Sequence, residues 1–252
     1  MKYAIVNLGC KVNAFEAEAV SEMLSNNGHT RVSFDEQPDA TIVFTCAVTN
    51  TAAAKSRKIL HQAKRIKEDE ITALVGCYVQ VNDGLLEEAD ILVGSANKKK
   101  LPQYIEQYLK NHEKIRDIAS LENVPFDSFT SSVHDSKARC DLKIQDGCNQ
   151  FCSYCIIPYA RGRERSMEPD LVVAEAKRLS KKYKEIVLTG IHTGRYGKEY
   201  NITLTDIIRR ILTETEDVRI RISSIEITEV SDALIQLMKV NDRMTKFLHI
   251  PL

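Results

Sequence analysis

Three cysteines lie close together in the segment GCNQFCSYC: Cys148, Cys152 and Cys155. The C-x3-C-x2-C spacing lets a single loop wrap one soft metal centre with three thiolates. It differs from the paired C-x2-C units of structural zinc sites and from the C-x2-C-x2-C-x3-C-P run of bacterial ferredoxins. A 4Fe–4S cluster held by three cysteines keeps one iron for a further ligand. The spacing therefore predicts chemistry at a cluster rather than simple electron transfer.

A zinc loop is the alternative for this segment, with Cys140 as the fourth ligand. Cys140 falls at the start of the strand predicted before the loop, so its side chain points along the sheet. The loop lies beyond the far end of that strand. We therefore favour the iron–sulfur interpretation.

A second set of cysteines is spread along the first third of the chain. Cys10, Cys46 and Cys77 each follow a predicted strand, in KYAIVNLGC, ATIVFTC and ITALVGC. The strands of a parallel sheet all run the same way, so the three thiols are expected at its carboxyl edge, where open α/β sheets bind ligands. The alternative is three small buried apolar residues that happen to be cysteine. Their shared topological position favours a second three-thiolate cluster.

Alternating strands and helices position these cysteines. In residues 1–112, apolar runs predict strands at 2–8, 40–45, 71–76 and 90–94, and amphipathic runs predict helices at 14–27, 49–67 and 101–109. This alternation predicts a doubly wound domain with a parallel sheet. The charge run at 98–100 is predicted as the solvated start of a helix.

A polar, Ser/Thr-rich stretch at 113–137 is predicted as a linker to a second α/β domain at 138–252. The predicted strands of that domain are 141–145, 185–189, 219–225 and 247–252, and the predicted helices are 170–182, 204–213 and 232–240. The last strand would leave an apolar sheet edge uncovered. We therefore expect the sequence to be a truncated piece of a longer protein.

Charge is balanced over the 252 residues, with 35 Lys plus Arg and 35 Asp plus Glu. No global field draws the protein to nucleic acid. Residues 137–184, however, contain 11 basic and 6 acidic residues, a net charge of +5. Arg161, Arg163 and Arg165 cluster there and are expected to bind RNA phosphates beside a splayed-out base.

Localisation is predicted from what the sequence lacks. No apolar run approaches the roughly 20 residues that cross a bilayer. The first residues, MKYAIVNLGCKVNAFE, do not have the pattern of a signal peptide. We expect no membrane association and a reducing, cytoplasmic compartment, where cysteines are metal ligands or free thiols.

The motifs together resemble a known family. LGCKVN, TCAVTN, VGCYVQ, CNQFCSYCIIPYARGRERS and LTGIHTGRYG are similar to motifs of the radical S-adenosylmethionine (SAM) methylthiotransferases, which act on tRNA adenosine or on a ribosomal protein. The resemblance runs from Met1 to Leu252. RISSIE, at 221–226, is most similar to the branch that acts on N6-threonylcarbamoyladenosine at position 37 of tRNA. That branch usually continues with proline, where this chain has Ile227.

The resemblance implies two 4Fe–4S clusters and SAM as cofactors. Cys148, Cys152 and Cys155 would hold the cluster whose open iron binds SAM, and the resulting 5′-deoxyadenosyl radical would take hydrogen from C2 of the adenine. Cys10, Cys46 and Cys77 would hold the cluster that carries or donates sulfur. The matching SAM-binding positions are Tyr154, Thr189, Gly190, Ile191, Ser223, Ser224 and Glu226.

The resemblance also implies a fold and partners. The fold is an N-terminal doubly wound domain followed by the first part of a radical SAM (βα)6 partial barrel, with the remaining strands and an RNA-binding β-domain absent. Such a truncated chain is expected to be inactive alone. The expected partners are a tRNA anticodon loop and an electron donor such as flavodoxin or ferredoxin. The alternatives are an aspartate methylthiotransferase of a ribosomal protein and a non-catalytic iron–sulfur or zinc protein.

Overall fold

The computed structural model describes residues 1–82, 88–129 and 138–251. The chain divides into two compact units. The first consists of Met1–Val124 and Gln150–Gly162, and the second of Pro125–Asn149 and Arg163–Leu252. Residues 150–162, which carry two cysteines of the C-x3-C-x2-C motif, therefore belong to the first unit.

A six-stranded parallel sheet forms the centre of the first unit. β3 and β4 are buried along their whole length, as expected for parallel strands covered on both faces. The spatial order of the strands is β2–β1–β3–β4–β5–β6, with β1 (Lys2–Asn7), β2 (Thr30–Arg31), β3 (Ala40–Thr45), β4 (Ile71–Gly76), β5 (Ile91–Val93) and β6 (Ile115–Asp117).

The helices of the first unit connect these strands or follow the cysteine loop. They are α1 (Lys11–Asn26), α2 (Asn50–Ile66), α3 (Cys77–Val81), α4 (Leu101–Asn111) and α5 (Ile157–Arg161). The Thr49 side chain caps α2 by accepting a hydrogen bond from the Ala52 N–H. α1 begins three residues before its predicted start, because Cys10 is extended and forms the N-cap.

Two short strands of this sheet are absent from the sequence prediction. β2 and β6 have two and three residues and are mostly exposed, so they lack the apolar run that predicts a buried strand. β6 falls within the stretch 113–137 that was expected to be a linker. Residues 130–137 of that stretch lie outside the described residues.

The second unit contains a three-stranded parallel sheet in the order β11–β10–β7 and a short antiparallel ribbon of β8 and β9. Ile186, Leu188, Ile208 and Ile220 lie in its apolar core, completely buried. Its elements are β7 (Arg139–Lys143), β8 (Gln145–Asp146), β9 (Arg165–Ser166), β10 (Glu185–Thr189), β11 (Arg219–Ile222), α6 (Pro169–Ser180), α7 (Leu204–Glu214) and α8 (Asp232–Val240).

The fourth predicted strand of this unit, 247–252, is not a strand over its described residues 247–251. The chain instead runs beside β11: Ile220 forms an isolated parallel bridge with Met244, and the Ile225 N–H donates to the His249 carbonyl at 3.1 Å. The predicted α/β class with parallel sheets is confirmed in both units. Among the described residues, no helix combines the length and the apolar character needed to cross a membrane.

Candidate functional site

The sheet of the first unit brings Cys10, Cys46 and Cys77 to one edge. Thr45 and Gly76 are paired in the register of β3 and β4. Cys46 directly follows Thr45, and Cys77 directly follows Gly76. Cys10 follows β1, which pairs with β3 on its other side. All three cysteines therefore lie beyond the carboxyl ends of adjacent strands.

The three thiols differ in exposure and influence one another electrostatically. Cys10 is exposed, Cys46 is half-buried and Cys77 is buried. Burial raises the pKa of the Cys46 thiol, and its electrostatic interaction with Cys77 and Cys10 raises it further. Among the described residues, no group of three or more His, Cys, Asp or Glu side chains is close enough together to hold a metal ion. The triad is thus gathered at one edge but is not arranged as a finished metal site.

Polar side chains link these cysteines to one another. The Cys10 thiol donates to Oδ1 of Asn13 at 3.6 Å, and Nδ2 of Asn13 donates to the Thr45 carbonyl at 2.9 Å. Arg161 donates from Nε to Sγ of Cys77 at 3.1 Å and from Nη2 to Oδ1 of Asn13 at 2.5 Å. The carboxyl edge of the sheet therefore has a hydrogen-bonded network that includes two of the three thiols.

Arg161 is completely buried. It forms an ion pair with Glu16 (Nη1–Oε1, 2.7 Å), whose other oxygen is 2.8 Å from Nζ of Lys98. In this structure Arg161 is therefore not placed to bind an RNA phosphate. Lys98 is also buried, so the prediction that the 98–100 run is the solvated start of a helix is wrong for Lys98.

Sequence reasoning missed Asn13 and Glu16. Both lie on α1, at the third and sixth positions after Cys10, and this spacing puts them on the same helical face. That face also carries the buried Val12 and Ala17. The sequence did offer one signal for Asn13 and Glu16: they are polar residues on the apolar face of a helix that directly follows a candidate ligand.

The segment after Cys148 is an exposed turn in the first unit. Cys152 is exposed and Cys155 half-buried, and the Cys155 N–H donates to the Cys152 carbonyl at 2.9 Å. Tyr154, between them, is 90% exposed. Both thiols and the aromatic ring are thus accessible to a ligand.

Cys148 belongs to the second unit, where its sulfur contacts a histidine. Sγ of Cys148 is 3.4 Å from Nδ1 of His192, and Nε2 of His192 is 2.7 Å from Oε1 of Glu229. From the sequence, neither His192 nor Glu229 was assigned to a site. His192 lies in the segment LTGIHTGRYG and Glu229 lies 37 positions later, so only the fold shows that they meet.

Buried polar atoms without hydrogen-bond partners surround this contact. They include Oγ1 of Thr193 and both carboxylate oxygens of Glu229, which is close to His192 but not aligned with it for a hydrogen bond. A Cβ added at Gly194 would lie 2.1 Å from Oε2 of Glu229, so a side chain at this position would displace the Glu229 carboxylate. Buried polar atoms without partners are costly, so this cluster suits a polar or cationic ligand.

The other predicted SAM-binding residues lie on the same rim of the second sheet. Thr189 ends β10, and 190–191 follow it directly; Ser223, Ser224 and Glu226 follow β11. β10 and β11 are paired, and the Ser223 N–H donates to the Leu188 carbonyl at 3.0 Å. Thr189 and Ser223 are buried, whereas Glu226 is exposed.

The remaining two candidate RNA-binding arginines have different environments. Arg163 is exposed. Arg165 is buried, and its Nη2 donates to Oδ2 of Asp146 at 2.9 Å while its Nη1 donates to the Arg163 carbonyl at 3.1 Å. Arg163 is therefore the one member of the predicted trio whose side chain is exposed.

Comparison with known families defines the class of protein. Residues 2–94 match the uncharacterized protein family UPF0004, and residues 142–251 match the radical SAM superfamily. The chain therefore contains a UPF0004 domain followed by a radical SAM domain. The resemblance stated from the sequence motifs is confirmed.

Several curated relatives are similar to almost the whole chain. It is 38% identical to a threonylcarbamoyladenosine tRNA methylthiotransferase of Bacillus subtilis (99% of this chain, 57% of the relative) and 33% identical to one of Aquifex aeolicus (100% and 63%). It is 31% identical to a tRNA-2-methylthio-N(6)-dimethylallyladenosine synthase of Desulforamulus reducens (99% and 57%). The chain thus spans about three fifths of the length of these relatives.

Proposed function

We propose that the protein containing this chain is a radical SAM enzyme that converts N6-threonylcarbamoyladenosine at position 37 of tRNA to its 2-methylthio derivative. The observation that carries the proposal is the presence of two cysteine sets in one radical SAM chain, Cys148, Cys152 and Cys155 in one loop and Cys10, Cys46 and Cys77 at one sheet edge. The similarity to the Bacillus subtilis relative supports the tRNA substrate.

The proposal assigns a 4Fe–4S cluster to Cys148, Cys152 and Cys155. Three thiolates suit a cluster that keeps one iron for a further ligand; Cys152 is exposed, and Cys148 and Cys155 are half-buried. When bound, the cluster and SAM supply an electron and a carbon radical, which the C2–H bond of adenine needs because no side-chain base can remove that hydrogen. The chain's own residues would bind and orient the cluster and SAM and shield them from water.

A second cluster is assigned to Cys10, Cys46 and Cys77 in the proposed sulfur-donating domain, residues 1–112. The assignment is supported by their common position beyond the carboxyl ends of adjacent strands. Asn13 accepts a hydrogen bond from the Cys10 thiol, and Arg161 donates one to Sγ of Cys77. The radical SAM domain would begin at residue 138, after the linker.

SAM would bind on the rim formed by the ends of β10 and β11. Glu229 offers two buried carboxylate oxygens without hydrogen-bond partners, which suit the cationic amino group of SAM. Gly194 leaves the space for that carboxylate, and Thr193 adds a hydroxyl. The exposed ring of Tyr154 is available to flank the adenine. Thr189, Gly190, Ile191, Ser223, Ser224 and Glu226 complete the proposed rim.

Single-stranded RNA is bound through cations and aromatic rings. Arg163 and the exposed aromatic rings of Tyr154 and Tyr159 supply both near the cysteine loop in the sequence. We therefore propose that Arg163 binds a phosphate of the tRNA anticodon loop, which is the expected RNA partner. It also implies a cytoplasmic location, where tRNA is found, and a flavodoxin or ferredoxin as the electron donor.

The test is the nucleoside composition of tRNA from a strain that lacks the gene. Loss of the 2-methylthio group from threonylcarbamoyladenosine, restored by the gene on a plasmid, supports the proposal. Unchanged tRNA together with a ribosomal protein lighter by one methylthio group would favour the aspartate substrate. Loss confined to dimethylallyladenosine would favour the activity named for the Desulforamulus reducens relative.

A further inference from the structure

Arg161 connects two of the three cysteines at the sheet edge. It ends α5, in the segment that follows the C-x3-C-x2-C motif and packs in the first unit. Its Nε donates to Sγ of Cys77 at 3.1 Å, and its Nη2 donates to Oδ1 of Asn13 at 2.5 Å. Oδ1 of Asn13 also accepts from the Cys10 thiol. One guanidinium is thus linked directly to Cys77 and indirectly to Cys10.

An ion pair with Glu16 holds this guanidinium in place, and Glu16 also pairs with Lys98. Glu16 accepts from Nη1 of Arg161 at 2.7 Å and from Nζ of Lys98 at 2.8 Å. All three charged side chains are at most 1% exposed. A guanidinium does not lose its proton in proteins, and its fork-shaped donors fix its orientation. A permanent positive charge therefore lies against the sulfur of Cys77.

Such a charge has a defined effect on a metal centre. Hydrogen bonds to ligand sulfurs and the local net charge set the reduction potential of an iron–sulfur cluster, and residues that contact the ligands also orient them. A donor and a positive charge stabilise the reduced, more negative state more than the oxidised state.

We propose that Arg161 is a positioning residue for the cluster of Cys10, Cys46 and Cys77. It orients Cys77 directly and Cys10 through Asn13, and it raises the reduction potential of the cluster. This inference rests on the proposed function, because it requires that these cysteines bind iron.

A purely structural role is the competing explanation. In that case Arg161 would only pair with Glu16 and so join α5 to α1. Its replacement would then lower the stability of the first unit and leave the potential of a bound cluster unchanged. The potential therefore separates the two roles.

The experiment uses the chain with Cys148, Cys152 and Cys155 replaced by alanine, so that the auxiliary ligands alone remain. After anaerobic reconstitution, iron content is measured, and the midpoint potential is determined by redox titration followed by electron paramagnetic resonance. The test variant is Arg161→Gln, which leaves Glu16 with Lys98 as its ion-pair partner. The matched control is Arg65→Gln, on the exposed surface of α2.

We expect Arg161→Gln to shift the one-electron equilibrium about tenfold toward the oxidised state, which corresponds to a potential about 59 mV lower. Arg65→Gln should keep the parent value. If Arg161→Gln does not fold, Arg161→Lys replaces it as the test variant. This substitution keeps the positive charge and removes the Nε–H donor to Cys77. A lower midpoint potential again supports the proposal.

Two results would overturn the inference, and they are distinguishable. If the variants retain iron and have the parent potential, Arg161 is only structural and the proposed function stands. If the parent protein itself binds no iron at these cysteines, the proposed function fails and the role of Arg161 fails with it.

Discussion

Thr45 and Gly76 face each other across β3 and β4, and each is followed directly by a cysteine. Cys46 and Cys77 therefore leave the sheet from neighbouring positions although 31 positions separate them in the sequence. Cys10 reaches the same edge from β1, on the other side of β3. The parallel topology is thus what converts three widely spaced cysteines into one candidate centre.

The two cysteine sets should have separable roles. We expect Cys148→Ala to abolish reductive cleavage of SAM, because the proposed function makes that cysteine a ligand of the SAM-binding cluster. Cys46→Ala should retain cleavage and lose sulfur insertion. The measurement is 5′-deoxyadenosine release beside methylthio product, by liquid chromatography of reactions of the natural protein with tRNA.

Cys140 provides the control for this pair. It is buried on β7, and burial raises the pKa of its thiol to about 12, so it is neither a thiolate nor accessible. Cys140→Ala should retain both reactions. Equal cleavage by Cys46→Ala and Cys148→Ala would contradict the assignment of the two sets.

Glu229 should contribute to SAM binding. Glu229→Gln keeps the size of the side chain and removes the charge offered to the amino group, so we expect SAM to bind about tenfold more weakly, a loss of about 1.4 kcal/mol. Isothermal titration calorimetry of the reconstituted protein measures this. Glu216→Gln, an exposed change in the same unit, should bind SAM as the parent does. Unchanged affinity in Glu229→Gln would remove that residue from the site.

Asp90 should make the first unit sensitive to acid. Burial raises the pKa of its carboxyl, but hydrogen bonds from Lys64, Thr72 and Tyr108 outweigh that effect and lower the pKa below its usual value. A carboxyl with a lowered pKa in the folded state stabilises that state above its unfolded pKa of about 3.9 and loses this contribution as the pH falls further.

The corresponding variant is Asp90→Asn. We expect it to lower the free energy of unfolding at pH 7 by about 2–4 kcal/mol and to unfold with a weaker dependence on acid pH than the parent. The chain has no tryptophan, so urea unfolding is followed by far-ultraviolet circular dichroism. Asp242→Asn, fully exposed, should behave as the parent. A parent-like Asp90→Asn would show that the buried carboxylate contributes nothing.

The larger elements of both units were predictable because their signals are local. β3 and β4 are continuous apolar runs, and α7 has a strongly one-sided apolar pattern with a Thr203–Asp206 capping box. β2, β6 and the ribbon of β8 and β9 have two or three residues each, so no periodicity could reveal them.

The site was predictable only in part, and Arg161 shows why. A basic residue in a basic stretch was interpreted as a surface residue. Its burial depends on Glu16, 145 positions away in the sequence, and on a sulfur 84 positions away. The contact of His192 with Glu229 is likewise created by the fold. Pairings over such separations carry no local pattern, whereas the cysteine spacing and the strand ends do.

The central claim is that the six cysteines of the two sets form two iron–sulfur centres. Its most direct test is metal analysis of the anaerobically reconstituted chain beside the Cys148→Ala/Cys152→Ala/Cys155→Ala variant. The account predicts about eight irons per parent chain and about four per variant chain, because each three-cysteine set holds one four-iron cluster. Stoichiometric zinc without iron, or a variant that binds no iron at all, would contradict it.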